Sequence, residues 1–169
     1  MTLEEFDQAL GDILEQVPVV TLATCADGVP WATDVYFATQ GRRLVFLSSP
    51  TSRHCRNLAA QPTCAATIHP VVASWRDIRG VQMEGRAEPL SELLDKASAM
   101  AAYVTKFPFV ADLLTHPGEV ARKAARVTPH VFIPTRIRYL DNRLGFGTRF
   151  VVRLEDGLPL GSPEREDSQ

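Results

Sequence analysis

The 169-residue chain is 45% hydrophobic and nearly balanced in charge, with 18 Lys and Arg against 20 Asp and Glu and a net charge of −2. This length suits one globular domain that buries roughly 70% of the surface its unfolded form would expose. The balance excludes a global field of the kind that draws proteins to nucleic acid or acidic membranes, so any anion site has to be local.

The N-terminus MTLEEFDQAL is acidic, with no basic segment leading into an apolar one, and the apolar runs fall short of the ~18 residues of a membrane helix. A soluble protein of the cytoplasm, without membrane or nucleic-acid partners, is the expectation. Cys25, Cys55 and Cys64 show no CxxC spacing and sit in apolar runs, which suits reduced core thiols.

Residues 2 to 16 predict an amphipathic helix, with Thr2 and Glu5 spaced as a capping box and Leu3, Phe6, Leu10, Ile13 and Val17 on one face. VPVVTLATC, PWATDVYFAT and RLVFLS read as a three-stranded meander, joined by ADG and TQG turns. In the second strand Trp31, Thr33, Val35 and Phe37 share one face and Ala32, Asp34, Tyr36 and Ala38 the other. Asp34, a carboxylate in mid-strand, is expected to pair with an arginine such as Arg79 or Arg149.

A short helix from about Ser52 to Ala60 follows, capped by Ser52 and stopped by Pro62. TCAATIH and DIRGVQMEGRAEPL continue the sheet. Residues 91 to 126 read as a helical insertion, with Ser91 as cap and Leu93, Leu94, Ala97, Ala101 and Val104 as its apolar stripe, interrupted at KFPF and THPGE. HVFIPTRIRYL and LGFGTRFVVRLE return to strand. The domain is expected to span 1–156, with 157–169 a frayed tail. Short antiparallel strands with inserted helices point to a mainly β, closed or partly closed barrel.

Several enzyme classes lack their motifs: there is no GxSxG elbow, HExxH, GxxxxGK[ST], or GxGxxG between strand and helix. GFG at 145–147 reads as a strand bend. His54, His69, His116 and His130 fall on four different elements, which disfavours metal ligation.

The most chemically loaded stretch is SSPTSRHCRNLAAQP, residues 48–62. The first N–H groups of a helix lack internal acceptors and sit at its positive dipole end, so a phosphate there gains bonds and field together. Thr51 and Ser52 add hydroxyls; Arg53, with His54 or Arg56, adds charge. From residue types alone, an anion cradle and a solvated helix face fit equally well.

VVTLATCADGVPWATDVYF, LVFLSSPTSRHCRNLAAQP and IRGVQMEGRAEPL, taken together, resemble the pyridoxamine 5'-phosphate oxidase-like FMN-binding split barrels. IRGVQ, KFP and DNRLGFG are similar to an uncharacterised bacterial branch of that family. The resemblance implies a single-domain, six-stranded antiparallel Greek-key barrel. It also implies a homodimer with flavin at the subunit interface and an oxidoreductase working with a small-molecule electron donor or substrate.

Carried over by residue, Leu47, Ser48 and Ser49 match the segment that contacts the flavin. Ser52, Arg53 and His54 match the Ser-Arg-Lys that holds the FMN phosphate, with His54 in place of the lysine, and Thr51 stands beside them. Thr33 and Gln82, on the second and fifth strands, complete the implied cofactor set. Ala32 and Phe37 stand where the oxidases carry Arg and Lys, Gly80 where they carry Gln, and Tyr103, Phe107 and Ala111 where they carry Tyr, Arg and Ser. These departures argue against oxidation of pyridoxamine phosphate itself and keep heme and a deazaflavin open as alternative cofactors.

Overall fold

The computed structural model describes residues 1–115, 118, 122 and 126–166. Helix α1 (Leu3–Gln16) begins on the expected capping box: Thr2 Oγ1 accepts from Glu5 N at 3.1 Å and Glu5 Oε2 accepts from Thr2 N at 2.6 Å. Strands β1 (Val19–Ala26), β2 (Val29–Gln40) and β3 (Arg43–Ser48) follow. Asp27 and Gly28, both at positive φ (52° and 74°), make the two-residue β1–β2 turn, the geometry whose twist matches that of a hairpin. After α2 (Arg53–Ala60) come β4 (Thr63–Ile68), β5 (Arg79–Pro89), α3 (Leu93–Lys106), α4 (Phe109–Thr115), β6 (Thr128–Asp141) and β7 (Arg149–Glu155).

The sheet runs β3-β2-β1-β4-β5-β6, and β3 also pairs with β6, so six antiparallel strands close into a barrel. Its interior holds Val20, Leu22, Phe37, Phe46, Met83, Phe132 and Ile137, joined by Phe6, Leu10 and Ile13 of α1 and Leu58 of α2. Lys106 ties α3 to the end of α1 by donating to the Leu14 and Val17 carbonyls at 2.7 and 2.9 Å. Burial there pulls its pKa down to about 8. Cys55 and Cys64 are buried and Cys25 half-buried, all as free thiols.

One seam of the barrel is incomplete. β2 and β3 pair only from Phe37↔Phe46 to Gln40↔Arg43. Toward the other end β2 continues against β1 alone, while Leu47 and Ser48 pair with Pro129 and Thr128 of β6. The barrel is therefore split between the first half of β2 and the end of β3.

Four expectations are corrected. Leu93 and Leu94 are 80% and 82% exposed, and α3 packs through Ala99, Tyr103 and the following Phe107 onto Ala38, Val45, Val131 and Ile133. Positions 97 and 101 lie two residues, or about 200°, from 99 and 103 on a 3.6-residue helix, so Ala97 and Ala101 face away from the barrel, and of the predicted stripe Val104 alone packs against that cluster. The residue at the N-cap is Glu92, without a side-chain bond, rather than Ser91.

Of the segment predicted to fray after Gly157, residues 158–166 instead extend the sheet. Asp156 and Gly157, again both at positive φ, turn the chain into β8 (Leu158–Pro159), and β9 (Glu164–Glu166) pairs with β7. Glu166 holds it there, accepting from Arg136 and Arg138 at 2.9 Å each. Asp34, finally, accepts from Thr21 Oγ1 at 2.6 Å, and Arg79 donates to Gln16. The cross-strand partner Thr21 lies directly opposite Asp34 in the ladder, and among the described residues no arginine forms an ion pair with that carboxylate.

The β6–β7 connection is rigidified by a buried carboxylate. Asp141, 2% exposed, accepts from Tyr139 Oη at 2.6 Å and from Arg143 Nη2 at 2.6 Å. Burial pushes its carboxyl up, but the bonds from Arg143 and Tyr139 outweigh it and hold the group below the ordinary carboxylate range. A group depressed in this way stabilises the fold above its unfolded pKa of about 4, and that contribution fades as pH falls through the folded value. Asp141→Asn should therefore cost about 1–3 kcal/mol at pH 7, and urea midpoints taken between pH 7 and 3 should show the gap to the unmodified protein closing.

Candidate functional site

Helix α2 starts at the split. Ser52, in extended conformation, caps it by accepting from Cys55 N at 3.3 Å, and Ser52 N donates to Ser49 O at 2.9 Å, which folds residues 49–52 into a tight turn. Asn57 and Leu58 anchor the helix, Asn57 Nδ2 donating to Thr24 Oγ1 at 3.1 Å inside β1. The N–H groups at the first positions of α2, on Arg53 and His54, have no acceptor within the helix.

Around that helix start the structure gathers most of the residues singled out in the sequence. Ser49 Oγ and Thr51 Oγ1 lie 2.9 Å apart. Arg56 Nη1 donates to Thr51 O at 2.7 Å and so braces the turn. Arg53 reaches across to β2, its guanidinium carbon 4.3 Å from the centre of the Trp31 ring, an attraction worth about 0.5–1 kcal/mol where exposed. Among the described residues neither arginine has a carboxylate partner. Thr33, half-buried, sits one pleat along from Trp31 on the same face of β2, and Leu47 and Ser48 form the opposite flank of the split.

His54 is placed differently from an exposed phosphate ligand. It is 8% exposed, and its Nε2 lies 2.8 Å from Ser48 Oγ and 3.2 Å from Ser52 Oγ. Burial, and then repulsion from His130, pull its pKa below the ordinary imidazole value. His130 itself is 4% exposed and stacked on Phe46, with Nδ1 2.9 Å from Thr128 O and Nε2 3.6 Å from Cys55 Sγ. Burial raises the Cys55 thiol. His69 is exposed, and His116 lies outside the described residues. No group of three His, Cys, Asp or Glu able to hold a metal ion occurs among the described residues.

Gln82 is not brought to the cradle. It lies on the outer face of β5, in the cross-strand row Asp34, Thr21, Thr67, Gln82, Arg138. There it lines a groove of about 280 Å³ whose floor includes Ala23 and Ala65, and it accepts from Arg138 Nη1 at 3.2 Å. Trp31 as the partner of Arg53, and Arg56 as a brace for the turn, were not separable in the sequence from core packing and a solvated face.

The sequence matches the family model described as pyridoxamine 5'-phosphate oxidase over residues 6–135, more than half of the chain. It is 28% identical over 151 residues to a UPF0306 protein of Klebsiella pneumoniae, covering 88% of this chain and 94% of that one. The fold is similar to a heme binding protein from Mycobacterium smegmatis, with a TM-score of 0.69 and 24% identity over 87% of this chain; the chain spans 57% of that protein's length. It is also similar to a FAD-binding protein from Mesorhizobium loti, with a TM-score of 0.61 and 20% identity, covering 81% of this chain and 94% of that one. Among the described residues no helix is long and apolar enough to cross a membrane.

Proposed function

Because the chain belongs to the pyridoxamine 5'-phosphate oxidase family of split barrels, we propose that it binds FMN in the split between β2 and β3 and acts as an oxidoreductase on a small molecule. The observation that carries this reading is the start of α2. A capped helix there opens onto the split with clustered hydroxyls on Ser49, Thr51 and Ser52 and two arginines that have no carboxylate partner among the described residues.

The residues present fit a phosphate monoester. The Arg53 and His54 N–H groups, the Thr51 hydroxyl and the Arg53 guanidinium are donors on one short turn, and an anion at a helix N-terminus is stabilised by its dipole as well. The main chain of 47–49 and the Thr33 side chain, at the two sides of the split, would hold the flavin ring. FMN would supply the electron-transfer chemistry. The protein's part is to grip the phosphate, orient the ring and exclude water.

Val29 and Trp31, on one face of β2 beside the split, are 51% and 38% exposed. Large apolar side chains grouped in this way mark a surface that is covered in use, which supports a homodimer whose second copy closes over the flavin. Adding FMN to the purified protein and following quenching of flavin fluorescence tests the cofactor, and sedimentation equilibrium tests the dimer. Saturable quenching at micromolar FMN is the expected result; its absence refutes the cofactor assignment.

A further inference from the structure

His54 occupies the lysine position of the family pattern, but its ring lies underneath the turn, bonded to the hydroxyls of Ser48 and Ser52. We propose that His54 is a proton-linked positioning residue of the anion site: binding of a dianion at residues 49–53 is accompanied by uptake of a proton on the His54 imidazole. The proposal rests on reading that turn as the phosphate site.

The geometry gives the reason. Ser52 Oγ already accepts from Cys55 N. If the neutral ring presents a lone pair at Nε2, it draws a serine O–H inward. A protonated ring can only donate at Nε2, so Ser48, the nearer hydroxyl at 2.8 Å, becomes an acceptor toward it, and no serine O–H is drawn inward to the ring.

The charged and titratable groups around the ring oppose protonation when the site is free. His130 on β6 repels a second positive charge, and Arg53 and Arg56 on the same helix, together with the helix dipole, do likewise. Cys55 is a neutral thiol with its pKa raised. β3 and the 49–52 turn present only hydroxyls, and no carboxylate among the described residues compensates. A bound dianion is the compensating charge, so ligand and proton favour each other by linkage.

Two measurements test this. Sulfate, a dianion that does not titrate between pH 5 and 8, should bind several-fold more tightly at pH 5.5 than at pH 8 to the unmodified protein, and with a flat profile to His54→Gln. In the unmodified protein, the NMR titration midpoint of the His54 ring should rise when FMN is added. A His54→Gln profile as steep as that of the unmodified protein, or a midpoint unmoved by bound FMN, would overturn the proposal. If FMN fails to bind while sulfate keeps its His54-dependent slope, the flavin reading falls and the proton-linked anion site stands.

Discussion

Arg53→Ala should weaken FMN binding by about 10- to 100-fold, the 1.5–3 kcal/mol of a charge-assisted hydrogen bond. Arg53 is exposed and held over Trp31 at 4.3 Å, so its removal leaves no buried group stranded and the loss reports on the ligand. Riboflavin, which lacks the phosphate, should bind the variant and the unmodified protein alike. Arg53→Lys keeps the charge but loses the planar fork, and should fall between the two. Fluorescence quenching titrations with both flavins measure all of this, and an unchanged FMN affinity in Arg53→Ala would remove the phosphate from this turn.

Gly85→Ala should be the most damaging small substitution in the barrel, costing about 3 kcal/mol or more. Gly85 lies where the β5–β6 register slips, between Glu84↔Arg136 and Gly85↔Pro134, and an added Cβ would collide with the Ile133 carbonyl oxygen and lie 2.9 Å from Pro134 Cα. Both obstacles are main chain, so relief requires pulling β5 from β6. Gly11→Ala is the matched control: nothing lies within 4 Å of a Cβ there, and alanine in mid-helix should add about 0.5–1 kcal/mol. Urea unfolding of the two variants should move in opposite directions, and equal midpoints would disprove the close approach at Gly85.

The fold was legible wherever a local signal agreed with its long-range use. The capping box at Thr2, the Asp27-Gly28 turn and the Ser52 cap all appear where their residue types predict them. Asp156-Gly157 carries the same turn chemistry as Asp27-Gly28 and was obscured by the polar composition that follows it. The packed face of α3 is not legible from hydropathy, since Leu93 and Leu94 outweigh Ala99 and Tyr103 there, whereas the barrel surface takes Ala99, Tyr103 and Phe107.

For the site, the sequence supplied the donors on residues 47–54 but not their directions. The burial of His54, and the distance in the fold between Gln82 and the cradle, depend on which strands become neighbours. A single chain read in order does not encode those pairings locally. Trp31 beneath Arg53 is the same kind of fact, since Trp31 lies in the part of β2 before Phe37 that has no β3 partner.

A closed barrel normally leaves no strand edge unpaired, yet here the parted strands present two short edges to each other, residues 31–35 and 47–49. Whatever settles between them meets main-chain donors and acceptors first, and those are the same for every amino acid. Recognition built on such groups survives the loss of particular side chains.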